Sequence, residues 1–258
     1  MNRMKTSALL PYFFLIALST PALALPKYGP DATPLSKRSN VEYFKENAAA
    51  DFWSLIPYYL PQPTKTGCSA ANMAMVLNGA RVGLPLTTAD EQVTFNNLLD
   101  KYSDDRYKKA MTFKMVKGVY FKHGEVANSR LVEVLKEASD KLKLTSPDTK
   151  VELVNIDLKN LDKSRQTFMD YLRKNEKSAD DFIMISFVQG KLTGDPEGLV
   201  GHVATIGAYD EKRNLVLIMD PDREWYEPYW SPADKVFDAI QDPKSDAEHP
   251  GYIYFKVR

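Results

Sequence analysis

The chain has 258 residues, 44% of them hydrophobic and 26% charged, with 34 basic residues against 34 acidic and three histidines. So even a balance argues against nucleic acid or an anionic membrane as partner, and the length is ample for one packed core and marginal for two. One cysteine and three scattered histidines exclude an internal disulfide and supply no recognisable metal-ligand spacing.

The chain opens M-N-R-M-K-T-S-A-L-L-P-Y-F-F-L-I-A-L-S-T-P-A-L-A-L-P. Arg3 and Lys5 precede a short apolar run, and the small residues Ala22 and Ala24 follow it, the order of a secretory signal peptide cleaved after Ala24. The apolar core over 8–18 is too short to span a bilayer, and no later segment approaches that length. The expectation is an exported protein, periplasmic or extracellular, with 25–258 as a single domain free of the membrane. Loss of 1–24 removes two basic residues and no acidic one, leaving 32 basic against 34 acidic.

Residues 25–60 are rich in proline and aromatic side chains, with a short helix expected over 41–50 behind Asn40 as its cap. Next comes Q-P-T-K-T-G-C-S-A-A-N-M-A-M-V-L-N-G, from Gln62 to Gly79. Its Ala, Met and Leu content predicts a helix beginning at Cys68, and Gly79 supplies the stop. A cysteine in a first helical turn meets unsatisfied backbone N–H groups and the positive end of the helix dipole, which favour the nucleophilic thiolate. The competing reading is a buried cysteine serving as a small apolar residue, which gains nothing from a helix start. Gln62, six residues upstream, is close enough for its amide to join the Cys68 N–H around an oxyanion.

Helical patterns follow over 88–102, 129–142 and 163–174, and strand patterns over 151–156, 182–187 and 251–257. A thiolate nucleophile needs a base. His249, in D-A-E-H-P-G, reads as a turn residue, and His123, in Y-F-K-H-G-E, as a solvated loop residue. His202 opens G-H-V-A-T-I-G-A-Y-D, a strand; after a turn, L-V-L-I-M-D forms a second that ends on Asp220. With a three-residue loop at 210–212, cross-strand partners total 422 and His202 faces Asp220 directly, with Cβ atoms about 4.5–5.5 Å apart. A slip of one residue would send them to opposite faces. On the expected register Asp220 fixes the His202 tautomer, and Cys68, His202 and Asp220 are nucleophile, base and orienter.

The block around Cys68 and the longer block G-H-V-A-T-I-G-A-Y-D-E-K-R-N-L-V-L-I-M-D-P-D-R-E-W-Y-E-P-Y-W resemble the phytochelatin synthase family. In that family an aspartate is followed by arginine, tyrosine, proline and tryptophan at offsets of three, six, eight and ten; here stand Asp220, Arg223, Tyr226, Pro228 and Trp230. The resemblance implies an α+β, papain-like fold with the nucleophile at a helix N-terminus packed against an antiparallel sheet. It also implies Cys68 as nucleophile, His202 as base, Asp220 as its partner and Gln62 as oxyanion donor. The implied reaction is cleavage of the Cys–Gly bond of glutathione through a γ-glutamylcysteinyl acyl-enzyme, with water or a second glutathione as acceptor.

There are departures. Residues 84–183 match the family only loosely, and where an arginine is expected after the strand stands Gln189, followed by Gly190 and Lys191. A contact to the substrate carboxylate is then either missing or moved to Lys191 or Arg223, and these two with Tyr226 are the expected substrate-binding residues. The cysteine-rich extension of the plant enzymes has no counterpart after G-Y-I-Y-F-K-V-R, so hydrolysis is expected to dominate, with phytochelatin as minor product. No cofactor is implied; cadmium or zinc would arrive as glutathione thiolates. Glutathione is the expected small-molecule partner, and a homodimer stays open. So do two other functions: a papain-fold cysteine peptidase acting on other peptides, and an exported thiol-peptide or metal-thiolate binding protein in which the triad no longer turns over.

Overall fold

The computed structural model describes residues 26–37, 41–111 and 126–257, so the expected leader, the Asn40 cap and His123 lie outside the described residues. In chain order the first elements are β1 (Thr33–Pro34), α1 (Val41–Glu46), α2 (Ala50–Leu55), α3 (Cys68–Gly79), α4 (Phe95–Asn97), α5 (Asp105–Met111) and α6 (Asn128–Lys141). Then follow β2 (Lys150–Asn155), α7 (Leu161–Asn175), β3 (Asp181–Val188), α8 (Gly190–Thr193), β4 (Gly201–Asp210), β5 (Leu215–Met219), β6 (Tyr229–Pro232), α9 (Ala233–Ile240) and β7 (Gly251–Lys256). The fold is α+β. Its strands form one seven-stranded sheet in the order β1-β6-β5-β4-β3-β7-β2, with neighbours antiparallel throughout.

Both faces of the sheet are covered. On one, Met184, Val203, Leu217 and Ile253 pack with Met73 and Leu77 of α3 and Leu131 and Leu135 of α6. On the other, Ile185, Ala204, Ile206 and Tyr252 pack with Phe168 and Leu172 of α7 and Val236 and Phe237 of α9. β3 is therefore buried along its whole length, which is why it reads F-I-M-I-S-F-V without polar alternation. Helix α3 is buried from Ser69 to Gly79, so its composition is apolar all round.

Elements α6, α7, β2, β3 and β7 fall within one or two residues of expectation. The helix expected over 41–50 is split into α1 and α2 because Ala49 takes a left-handed conformation with φ 46°. The pattern over 88–102 becomes helical only at Phe95, where Thr94 and Asn97 form a reciprocal capping box, and widens into a π-turn over Leu98–Tyr102.

The β4–β5 hairpin corrects the expected register. Asp210 is still in the strand and pairs with Leu215, so the loop holds four residues and partner numbers total 425. An offset of three is odd and would turn His202 and Asp220 to opposite faces. A bulge at Gly207 takes one residue back: Ile206 pairs with Ile218 and Thr205 with Met219, a total of 424. Ile206 and Tyr209, three apart, consequently lie on the same face. The remaining offset of two keeps His202 and Asp220 on one face as diagonal neighbours, still within reach of long side chains.

Candidate active site

Cys68 is the first residue of α3, with Gly67 as its N-cap. A Cβ at position 67 would lie 2.9 Å from Phe95 Cε2 and 3.0 Å from Thr64 Oγ1, so the close approach of that loop requires glycine. The Cys68 thiol is partly exposed and hydrogen-bonds His202 and the backbone N–H groups of Val203 and Ser69. Burial pushes the thiol up, but the His202 hydrogen bond and charge, with those two N–H groups, hold it below the ordinary thiol value.

His202 is 9% exposed, near the start of β4. Its Nε2 lies 2.7 Å from Asp220 Oδ1, which leaves Nδ1 as the ring nitrogen for the thiol. Burial disfavours the imidazolium; the Asp220 charge and hydrogen bond, then Cys68, outweigh it and raise the pKa well above the ordinary imidazole value. Both shifts favour the charged forms, thiolate on Cys68 and imidazolium on His202.

Asp220 is fully buried just beyond β5. Its Oδ1 also accepts the Asp222 N–H at 2.9 Å; Oδ2 accepts Gln189 Nε2 at 2.8 Å and the Tyr229 hydroxyl at 3.0 Å. The Tyr59 hydroxyl donates to its backbone carbonyl. Burial raises the carboxyl pKa, yet His202 followed by Gln189 and the Asp222 N–H bring it below the ordinary value. Gln189 and Tyr229 escaped the sequence reading as members of this site. Gln189 stands where the family resemblance predicts an arginine, directly after β3, the strand paired with β4 through Phe187 and His202.

Gln62 stands beside this cluster, its backbone N–H donating to Pro221 O at 2.8 Å; its side-chain Oε1 is buried without a hydrogen-bond partner. Cys68, Ser69, Ser186 and His202 open onto a cleft of about 490 Å³ whose lining also includes Leu199, Val200 and Lys244. Asp246, also in the lining, is committed to the backbone N–H groups of Asn128, Glu248 and His249. Lys244 forms no ion pair among the described residues.

The structure does not bring the three expected substrate contacts to that cleft. Lys191 is ion-paired with Asp242 at 2.5 Å. The Arg223 guanidinium lies 4.8 Å above the Tyr59 ring, and Tyr226 is buried with its hydroxyl 3.4 Å from Asp195. His249 is exposed in a loop. Among the described residues no group of three or more His, Cys, Asp and Glu is placed to hold a metal ion, and no helix is long and apolar enough to cross a membrane. Chemically, the cluster joins a low-pKa thiol to a proton donor held by a buried carboxylate, the requirements of nucleophilic acyl transfer.

The sequence model for phytochelatin synthase matches residues 31–252. A curated relative, glutathione gamma-glutamylcysteinyltransferase 3 of Lotus japonicus, is 22% identical over 214 residues, covering 81% of this chain. The chain spans 38% of the length of that relative.

Proposed function

The chain belongs to the phytochelatin synthase family, and from that premise we propose that it cleaves the Cys–Gly amide bond of glutathione through an acyl-enzyme on Cys68. The observation that carries the reading is the contact of Cys68 with His202, both lining one cleft, and of His202 with the buried carboxylate of Asp220 behind it. On this reading the fold is papain-like, with the nucleophile on the first turn of a helix packed against the sheet.

The Cys68 thiolate attacks the cysteinyl carbonyl carbon, forming the C–S bond while the carbonyl oxygen becomes an oxyanion. The Cys68 N–H and the Gln62 side-chain amide donate to that oxygen. Collapse breaks the C–N bond, His202 gives its proton to the leaving nitrogen, and glycine departs. His202, now neutral, takes a proton from water, which attacks the thioester and releases γ-glutamylcysteine and the thiolate. Asp220 keeps Nδ1 of His202 turned to the sulfur throughout. Lys244, the uncommitted cation of the cleft lining, meets a substrate carboxylate in place of Lys191 or Arg223.

Hydrolysis is the main route. A cleft of about 490 Å³ suits one tripeptide-sized ligand, and a second glutathione as acceptor would need comparable space. Cadmium and zinc enter as glutathione thiolates. We also read the protein as exported to the periplasm, with cleavage after Ala24; the mass of protein recovered from that compartment checks it.

The test of the function is product analysis at millimolar glutathione, with and without cadmium, by liquid chromatography and mass spectrometry. Glycine with an excess of γ-glutamylcysteine over phytochelatin is expected. Phytochelatin as dominant product without metal would overturn the hydrolase reading alone, and no release of glycine would overturn the whole reading.

A further inference from the structure

One polar side chain interrupts the apolar run of α3. Asn72 is fully buried among Ala70, Ala71, Met73 and Ala74, in a position where an aliphatic residue would pack without any cost of desolvation. All its hydrogen-bonding capacity facing the site is used. Its Nδ2 donates to Cys68 O at 2.9 Å and to Val203 O at 2.8 Å, and its Oδ1 accepts the Thr205 hydroxyl at 2.8 Å. Two carbonyls can only accept, so the amide has one orientation.

Those partners are the flanks of the reacting pair. Cys68 O belongs to the nucleophile's own residue, and Val203 follows His202 while offering its N–H to the thiol. Helix α3 and strand β4 are far apart in sequence, and the Asn72 amide is a direct polar tie between them at this end of the sheet.

We propose that Asn72 is a positioning residue that fixes the separation of the Cys68 thiol and the His202 ring by bridging the backbone of α3 to that of β4. The inference rests on the reading of Cys68 and His202 as a thiolate–imidazolium pair, and its test is independent of the substrate. Without the bridge the first turn of α3 is free to draw away from β4, the thiol loses its hydrogen bond to His202 and the Val203 N–H, and the thiolate loses its stabilisation. Thr205 acts behind Asn72 by holding the amide from rotating.

The experiment is the pH dependence of iodoacetamide alkylation, for which Cys68 is the only thiol of the chain. Wild type should alkylate rapidly well below the ordinary thiol range. In folded Asn72→Ala the midpoint should rise by about one pH unit, with about a tenfold slower rate at pH 6. Thr205→Val, which keeps both N–H bonds, should move the midpoint the same way by a smaller amount, and it carries the test if Asn72→Ala does not fold. A lower melting temperature with the midpoint unmoved in the folded variant would mean that Asn72 is only structural and would overturn the proposal. An ordinary thiol profile in wild type would overturn the ion-pair reading on which it rests.

Discussion

A thiol and an imidazole joined by a hydrogen bond divide one proton between them, and the directions of their pKa shifts decide where the reactive form lies. Cys68 is depressed and His202 raised, so the thiolate–imidazolium pair spans the range between them. Activity should fall on the acid side as the thiolate is protonated below the ordinary thiol range, and on the alkaline side as His202 loses its proton above the ordinary imidazole range. A kcat/KM profile with its acid limb in the ordinary thiol range would contradict the pair. Cys68→Ser should keep its circular dichroism and lose turnover, and Asp220→Asn should lower kcat by about two to four orders of magnitude by freeing His202; steady-state kinetics within a factor of two of wild type would exclude that role for Asp220. These three residues were legible because each carries a signal along the chain: a helix start, a strand start, a strand end. Asn72, Gln189 and Tyr229 were not, since each acts only through partners distant in sequence.

At the scale of elements, long periodic segments such as α6 and α7 were readable, whereas the hairpin that aligns His202 with Asp220 was right for an incomplete reason. Asp210 looks like a turn residue, yet it is 6% exposed at the end of β4, where its carboxylate takes the Arg213 N–H at 3.1 Å and Nε at 2.5 Å. That closes a four-residue loop ending at Asn214 with φ 54°, and only the bulge at Gly207 restores the parity of the two faces. A Cβ at position 207 would lie 2.8 Å from Met219 Cγ, so Gly207→Val must displace the Met219 side chain beside Asp220. The expected cost is about 1–3 kcal/mol, a drop of roughly 2–4 °C per kcal/mol in a chain of this size. Calorimetry checks the stability and an alkylation profile checks the site: the variant should lose both, and a wild-type Cys68 profile would separate the bulge from the site.

For the whole molecule, a buried carboxyl that does not line the cleft sets a pH dependence of stability. Asp51 on α2 is 4% exposed; burial first, then the charges of Asp181, Glu176 and Asp180, hold its pKa well above the ordinary carboxylate value. A raised folded-state pKa means that its contribution is fully present below the unfolded value of 3.8 and is lost as pH rises through the folded value. Asp51→Asn, which stays neutral, should therefore melt a few degrees above wild type at pH 8 and show no such gain at pH 4; equal differences at both would contradict this. Helix α2, which carries Asp51, and α3 both pack on β4, and the proposed function rests on the placement this gives Cys68. The most direct measurement is the intact mass of the protein, followed by that of the peptide carrying Cys68, after brief exposure to glutathione and quenching in acid. The account predicts an adduct equal to glutathione less glycine that resists mild reductant; an unmodified cysteine, or only a reducible adduct of whole glutathione, would contradict it.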